Sequence, residues 1–582
     1  MENILHTPII LLSYGVLLFR TAKKALKQLK NKVLDENTLI TISTIGAYLV
    51  GETMEGAMVI FLYEIGKILE AKAVNKSRKS IADLMDIKPE FANIKTEDGY
   101  KTISPEEVKI GDIIIVKTGE KIPLDGIILE GEAQLDTSAL TGESKLVDVT
   151  VGSQVLSGSI NLQGLLQIEV TSDYQNSTVS KILELVENAT DKKAKTETFV
   201  AKTARIYTPS VLGLAILVAI FMPMLFNTTY SESIYKALTF LVISCPCSIA
   251  ISVPLSYFSG IGKASKSGIL IKGSDYLDGL KDIKHIIFDK TGTITIGNLE
   301  VEEINSTNEK YTQAQILNYF ALGESFSNHP IAKSILKKNN EELDLENVIN
   351  FEEVMGKGIC YEYKNNKIKI GNAKFVNINE ESNMASTVLY LKLNDEVIGN
   401  IVLKDQIKAD AVKAIQELSK MHIKTSMFTG DKKEVAYQIA EEAGIEHVEY
   451  EMLPTDKYNR VEEIISTLKP NEKIAFVGDG INDSPVLARA DIGISMGGIG
   501  SSSAIESSDV VIMTDELTKI SQAIGISRKT NRVIKQNLIF VIFTKLSILL
   551  LSILGLADMW QAVFADVGVT VIAILNTLRI LK

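Results

Sequence analysis

Cysteine and tryptophan are almost missing from this chain of 582 residues, which has three of the first and one of the second. Three cysteines cannot make a disulfide framework, so the bulk of the chain reads as cytosolic. No N-terminal segment combines a charged start with the small-residue cleavage site of a signal peptide. A basic stripe with interleaved aromatics is missing too. Lys and Arg number 61 against 72 Asp and Glu, for a net charge of −11 and a pI near 5.3. That balance argues against nucleic acid as a partner. Apolar surface, by contrast, is plentiful. The chain is 46% hydrophobic and 23% charged, with a slightly positive mean hydropathy, which is unusual for a purely soluble protein. Its length allows three or four domains.

The apolar residues pool in seven runs, near 8–19, 38–51, 54–66, 207–227, 236–258, 537–556 and 559–581. Several reach the ~20 residues that cross a bilayer, and the set as a whole predicts a membrane protein. Two polar stretches, 73–200 and 260–535, lie between the clusters. Basic segments "FRTAKKALKQLKNK" (19–32) and "KAVNKSRKS" (72–80) follow the first and third runs. The excess of positive charge on cytosolic loops puts both segments, and both polar stretches, in the cytosol. Seven crossings would then leave the N-terminus outside and the C-terminus inside. "NTTYSES" (227–233) and "LADMW" (556–560) would face the exterior.

Three apolar strand-like segments end in the same chemistry. "HIIFDKTGTIT" (285–295) delivers Asp289, Lys290 and Thr291; "KTSMFTGD" (424–431) delivers Thr429, Gly430 and Asp431. "KIAFVGDGINDSP" (473–485) delivers Asp479, Asn482 and Asp483. In open α/β sheets the carboxyl edge is where ligands bind. Carboxylates and hydroxyls gathered there suit Mg²⁺ and a phosphate, with Lys457 of "MLPTDK" to offset phosphoryl charge.

In this order, "DKTGT", "TGD" and "GDGINDSP" resemble the phosphorylation domain of the P-type ATPases, and "LDTSALTGES" (135–144) resembles their actuator motif. The likeness spans essentially residues 8–582. It implies a multidomain membrane protein: a helical transmembrane bundle, a β-rich cytosolic actuator, a haloacid-dehalogenase-like α/β phosphorylation domain and an α+β nucleotide-binding insertion. The implied layout is membrane helices over 1–72, actuator over 73–200 and two further helices over 201–259. The phosphorylation domain follows at 260–296 and 397–535, split by the nucleotide-binding insertion at 297–396, and a last helix pair covers 536–582. ATP and Mg²⁺ are the implied cofactors. Asp289 would be the nucleophile that takes the γ-phosphate. Asp479, with Asp289 and the Thr291 backbone, would hold Mg²⁺, supported by Asp483. Glu143 would position the water that hydrolyses the aspartyl phosphate. "GESFSNHPIAKSIL" (323–336) and "GKG" (356–358) match the adenine site of the heavy-metal branch, through Glu324, His329, Gly356 and Gly358. Cys360 reads as a buried structural thiol.

In "LVISCPCSIAISVPLSYF" (241–258), Pro246 should unwind the helix locally, since it removes a hydrogen bond and clashes with a preceding carbonyl. Unwinding can turn Cys245 and Cys247, otherwise about 200° apart, towards one point. Soft thiolates select monovalent copper or divalent zinc, cadmium or lead. Lys545 and Asp566 in the last two runs are costly in a membrane, and each is expected as the other's partner. A carboxylate beside thiolates suits a divalent ion. "TKL" and "DVG" around these residues resemble the zinc/cadmium/lead subclass; the tyrosine–asparagine and Met–Ser–Ser patterns of copper pumps do not occur. The resemblance also implies that Glu55 lies on the exit route. A later family glutamate is Lys67 here, with Glu64 one turn earlier. No CxxC domain precedes the first run, and residues 8–28 resemble the family's second helix. The expected protein is a monomeric exporter of Zn²⁺, Cd²⁺ or Pb²⁺ in the cell membrane. Copper(I) export, or a membrane-anchored phosphatase or sensor that no longer pumps, are the alternatives.

Overall fold

The structure is a computed structural model that describes residues 3–31, 36–82, 89–96, 99–137, 146–180, 195–226, 228–307, 310–327, 330–354, 357–378, 387–480, 483–497, 506–553 and 556–581. Chain contacts divide it into two compact units, Met1–Lys281 with Gln522–Lys582, and Asp282–Ser521.

Among the described residues, the first unit holds eight long helices and a β-rich segment. The helices are α1 (Asn3–Lys30), α2 (Glu36–Val50), α3 (Thr53–Ala82), α4 (Lys195–Phe226), α5 (Tyr230–Ile243), α6 (Cys247–Ser265), α7 (Thr518–Ile553) and α8 (Met559–Thr577). Among the described residues, four stretches are long and apolar enough to cross a membrane: Tyr207–Phe226, Tyr230–Ser265, Thr518–Ser552 and Met559–Ile580. They take in the last four of the seven runs. The other three runs lie in α1 to α3, where α2, with 15 residues, spans about 22 Å against a hydrocarbon core of about 30 Å. Leu39 and Ile40 of α2, Val59 and Ile60 of α3, Leu238 and Leu241 of α5 and Met559 of α8 share one buried cluster.

Pro246 breaks the CPC segment as its chemistry requires. Helix α5 stops at Ile243, and α6 restarts at Cys247 with Pro246 at its N-terminal boundary. The β-rich segment has a six-stranded sheet and a three-stranded sheet around a core of Ile114, Ile122, Leu124, Leu166 and Ile168. Asp125 ties it together, accepting from the Ser157 amide at 2.7 Å and the Thr178 amide at 2.8 Å.

In the second unit, six parallel strands run in the order 510–512, 492–496, 473–478, 283–289, 424–428, 447–449. Ile283, Ile286, Ile287 and Phe288 are fully buried, as near-continuous apolar runs are in strands covered on both faces. Asp289 pairs in register with Phe428, and Phe288 with Val477. The three motif-bearing strands therefore end at one edge. A second sheet of six antiparallel strands, with helices Gln313–Glu324 and Pro330–Lys338 packed on it, interrupts this one between Thr295 and Ile407.

Candidate active site and metal centre

At the sheet edge, Asp289 is 8% exposed and its two carboxylate oxygens have separate partners. The Lys457 ammonium donates to Oδ1 at 2.5 Å, and the Thr291 amide donates to Oδ2 at 3.1 Å. Lys457 also donates to Asp483 Oδ1 at 3.0 Å, so one buried cation serves two carboxylates. Gly292 turns the loop at φ +70°, and a Cβ there would lie 3.5 Å from Asp479 Oδ2. This proximity brings the third strand's carboxylate to the loop. Lys290 forms an ion pair with Asp431, and the Asp431 amide donates to Thr429 Oγ1 at 3.1 Å. Gly430 lies between these two. The structure thus gathers Asp289, Lys290, Thr291, Thr429, Gly430, Asp431, Lys457, Asp479 and Asp483 at one edge.

Burial pushes the Asp289 carboxyl up, and Asp483 and Asp479 add to that, to about 6 against the pull of Lys457. Asp483 is raised as well, chiefly by burial. Burial lowers Lys457, but Asp289 and Asp483 more than compensate and leave it above its usual range. Asp289 and Asp483 share the Lys457 ammonium, and Asp479 lies beside the Gly292 turn. An excess of negative charge on hard oxygen donors fits a divalent cation such as Mg²⁺.

Two further residues hold this loop and went unnoticed in the sequence. Asp405 accepts from Thr295 Oγ1 at 2.6 Å and from the Gly297 amide at 3.0 Å. Lys408 is buried, donates to the Gly292 carbonyl at 2.9 Å and pairs with Asp515 at 2.6 Å. The available signal was "NIVLKDQIK" (400–408), another apolar strand ending in a carboxylate and a lysine.

In the antiparallel sheet, Gly358 has φ +151°, and a Cβ there would meet the Ile370 carbonyl at 2.0 Å. Only glycine fits this crossing of two strands. Glu324 ends helix Gln313–Glu324 and is 6% exposed. Burial, helped by Glu353, pushes its carboxyl up to about 7. Because the folded value lies above the unfolded one, Glu324 contributes stability at low pH that is lost as pH rises through about 7. That loss amounts to about 3 kcal/mol, and Glu324→Gln is expected to remove it. Hydrogen-exchange protection of Gln313–Glu324 in the intact chain, corrected for intrinsic rates, checks this. An equally steep pH dependence in the variant would contradict the assignment. Cys360 is a free thiol that is half-buried rather than buried, and burial raises its pKa.

In the membrane part, Lys545 of α7 reaches into the CPC break. Its ammonium donates to Asp566 Oδ1 of α8 at 2.5 Å, to the Cys245 carbonyl at 2.5 Å and to the Ile243 carbonyl at 3.2 Å. The last carbonyls of a helix lack intrahelical donors, so the lysine caps α5 as well as pairing with a carboxylate. Ser248 and Thr570 complete the surroundings: Ser248 Oγ donates to Asp566 Oδ1 at 3.1 Å and lies 2.7 Å from Thr570 Oγ1. Neither hydroxyl was singled out from the sequence. Cys245 is 2% exposed at the break.

Glu55 sits elsewhere, in the first turn of α3. It accepts from the Tyr235 hydroxyl, which in turn accepts from the Met559 amide at 3.2 Å. Tyr235 precedes Cys245 by ten residues, about 15 Å along a helix. Lys67 pairs with Glu36 at 3.0 Å, and Glu64 accepts from Thr21 at 2.8 Å. Glu143, His329, Gly356 and Asn482 lie outside the described residues, as does the side chain of Cys247.

Residues 86–187 match the model of the P-type ATPase actuator domain, and residues 283–491 that of haloacid dehalogenase-like hydrolases. The chain is 44% identical to a cadmium, zinc and cobalt-transporting ATPase of Bacillus subtilis (strain 168), over 98% of this chain and 81% of the relative. It is 42% identical to a zinc-transporting ATPase of Synechocystis, over 99% and 80%. The crystal structure of a zinc-transporting PIB-type ATPase in an E2·Pi state is similar with a TM-score of 0.66 at 34% identity, over 98% of this chain and 95% of that one. With both family models in their places and relatives matched over nearly its whole length, the chain belongs to the P-type ATPases, in their heavy-metal-transporting PIB branch.

Proposed function

We propose that this chain hydrolyses ATP to drive Zn²⁺ or Cd²⁺, and by the same ligand chemistry Pb²⁺, out of the cytosol. The observation that carries the choice of ion is the Lys545–Asp566 pair set against the Cys245 carbonyl at the helix break. A carboxylate beside soft sulfur suits a borderline divalent ion better than monovalent copper. Two matched relatives named for zinc or cadmium transport support the same reading.

A carboxylate oxygen of Asp289 attacks the γ-phosphorus, the bond to the ADP oxygen breaks, and an acyl phosphate forms. Lys457 holds Asp289 in place and offsets charge on the transferred group. Lys290, Thr429, Gly430 and Asp431 frame the phosphoryl site. Asp289, Asp479, Asp483 and the Thr291 backbone would hold Mg²⁺, which when bound neutralises charge on the phosphates. Glu324, His329, Gly356 and Gly358 hold the adenine. Glu143 positions the water that hydrolyses the acyl phosphate. Cys245, Cys247 and Asp566 bind the transported ion, Lys545 replaces it when it leaves, and Glu55 receives it on the outward path. The chain acts as a monomer.

ATPase activity of the purified chain under thiol-reducing conditions, across a panel of metals, tests this. Stimulation by Zn²⁺ and Cd²⁺ is expected; stimulation by Cu(I) alone overturns the choice of ion. A cavity of about 30 Å³ touches both Lys67 and Asp566. Removing the Lys67 ammonium takes away a positive charge and frees the Glu36 carboxylate with which it pairs. Lys67→Ala is therefore expected to lower the half-saturating Zn²⁺ concentration about fivefold, the effect of roughly 1 kcal/mol of electrostatic energy. An unchanged value would show that Lys67 does not face the ion's path.

A further inference from the structure

A second cavity, of about 510 Å³, opens among α4, α5 and α7 and has no part in the chemistry above. Its lining is layered. Lys236 and Ser552 are its polar side chains, and no carboxylate lines it. Both belong to the outer end of the membrane part. Lys236 lies in the first half of α5, whose N-cap is Thr229, and Ser552 is next to the last residue of α7. Phe226, the last residue of α4, lines the same end. Leu217, Phe240 and Leu549 line the cavity at greater depth. Leu217 is nine residues before Phe226, or about 13 Å along the helix. Polar groups at the rim and apolar groups below match an amphiphile standing in the bilayer.

The lysine supplies the charge. Among the described residues Lys236 has no hydrogen-bond or ion-pair partner. Glu232, one turn away on the same helix, is engaged at the helix start, where it accepts from the Thr229 amide at 3.2 Å. A half-buried lysine whose stem runs along apolar surface extends its ammonium to the headgroup level. An ammonium without a counter-ion there attracts phosphate.

We propose that this cavity binds an anionic phospholipid of the outer leaflet, one acyl chain between α4 and α7 and its phosphate on Lys236. Ser552 offers a second donor to the same headgroup. The preference comes from one lysine, worth about 1 kcal/mol or about fivefold in occupancy over a zwitterionic lipid.

Native mass spectrometry of the intact, delipidated chain, titrated with phosphatidylglycerol or phosphatidylcholine, tests it. Wild type is expected to retain one phosphatidylglycerol about fivefold more readily than phosphatidylcholine. Lys236→Gln should abolish that preference while both lipids still bind. Leu217→Trp, which fills the depth of the cavity, should remove the retained lipid of either kind. Zn²⁺-stimulated ATPase activity of each variant verifies that it is folded. An unchanged preference in Lys236→Gln overturns the phosphate contact, and unchanged retention in Leu217→Trp overturns the site.

Discussion

Asp289→Asn is expected to lower Zn²⁺-stimulated ATP hydrolysis by about 10⁴-fold or more and to eliminate the acid-stable phosphoenzyme. The amide is nearly isosteric with the carboxylate but cannot displace ADP from the γ-phosphate. The structure makes this a clean test. Asp289 is buried and held by Lys457 on one oxygen and the Thr291 amide on the other. In the variant, Lys457 keeps Asp483 at 3.0 Å, so its ammonium is not left unpaired. Loss of activity is then loss of the nucleophile rather than collapse of the site. The measurement is acid quenching of the chain with γ-labelled ATP, beside steady-state phosphate release. Metal-stimulated hydrolysis that survives the substitution would overturn the aspartyl-phosphate reading.

Asp566→Ala is expected to abolish Zn²⁺ transport into vesicles and to raise the metal concentration needed for phosphorylation by about 100-fold or more. It removes the charged oxygen ligand, and it also strips Lys545 of its carboxylate. Removing one partner of a buried pair commonly costs about 3–5 kcal/mol. Lys545, however, still has the Ile243 and Cys245 carbonyls at 3.2 and 2.5 Å. The reverse variant, Lys545→Ala, uncaps α5 and leaves Asp566, among the described residues, with Ser248 as its side-chain donor. It should therefore destabilise the chain more than Asp566→Ala does, which thermal unfolding in detergent measures. The double variant should recover part of that loss, because no unpaired ion remains. Full transport by Asp566→Ala would show that the ion is held without this carboxylate.

The catalytic set was legible because its residues sit in short runs with their own strands. "HIIFDKTGT", "MFTGD" and "FVGDGIND" each announce a buried strand and what it delivers, and parallel pairing takes all three to one edge. Lys457 was legible only by its place in the chain, since nothing local shows that it spans Asp289 and Asp483. Asp405 and Lys408 were missed for a similar reason. They hold the loop from a strand more than a hundred residues away, and a lone Asp or Lys at a strand end has many innocent uses. Ser248 and Thr570 are ordinary hydroxyls until the fold sets both against Asp566. The depth of Cys360 was overestimated because its strand alternates, and the burial pattern across Gly358–Tyr363 leaves it half covered.

By itself, the sequence determined the chemistry. Residue types at fixed local spacing declare a phosphate-handling aspartate, a proline-broken helix with two cysteines, and two ionisable groups too costly for a membrane unless paired. Only the tertiary structure decided how they are joined. The Lys545 ammonium serves the Asp566 carboxylate and the carbonyls freed at the Pro246 break at once, so helix capping and charge pairing are one contact. The outer cavity with Lys236 is likewise made by three helices that no local pattern relates. The reason is physical. Strand and helix identity follow from interactions between neighbours in sequence, whereas the partner of a buried charge is chosen by packing between distant elements.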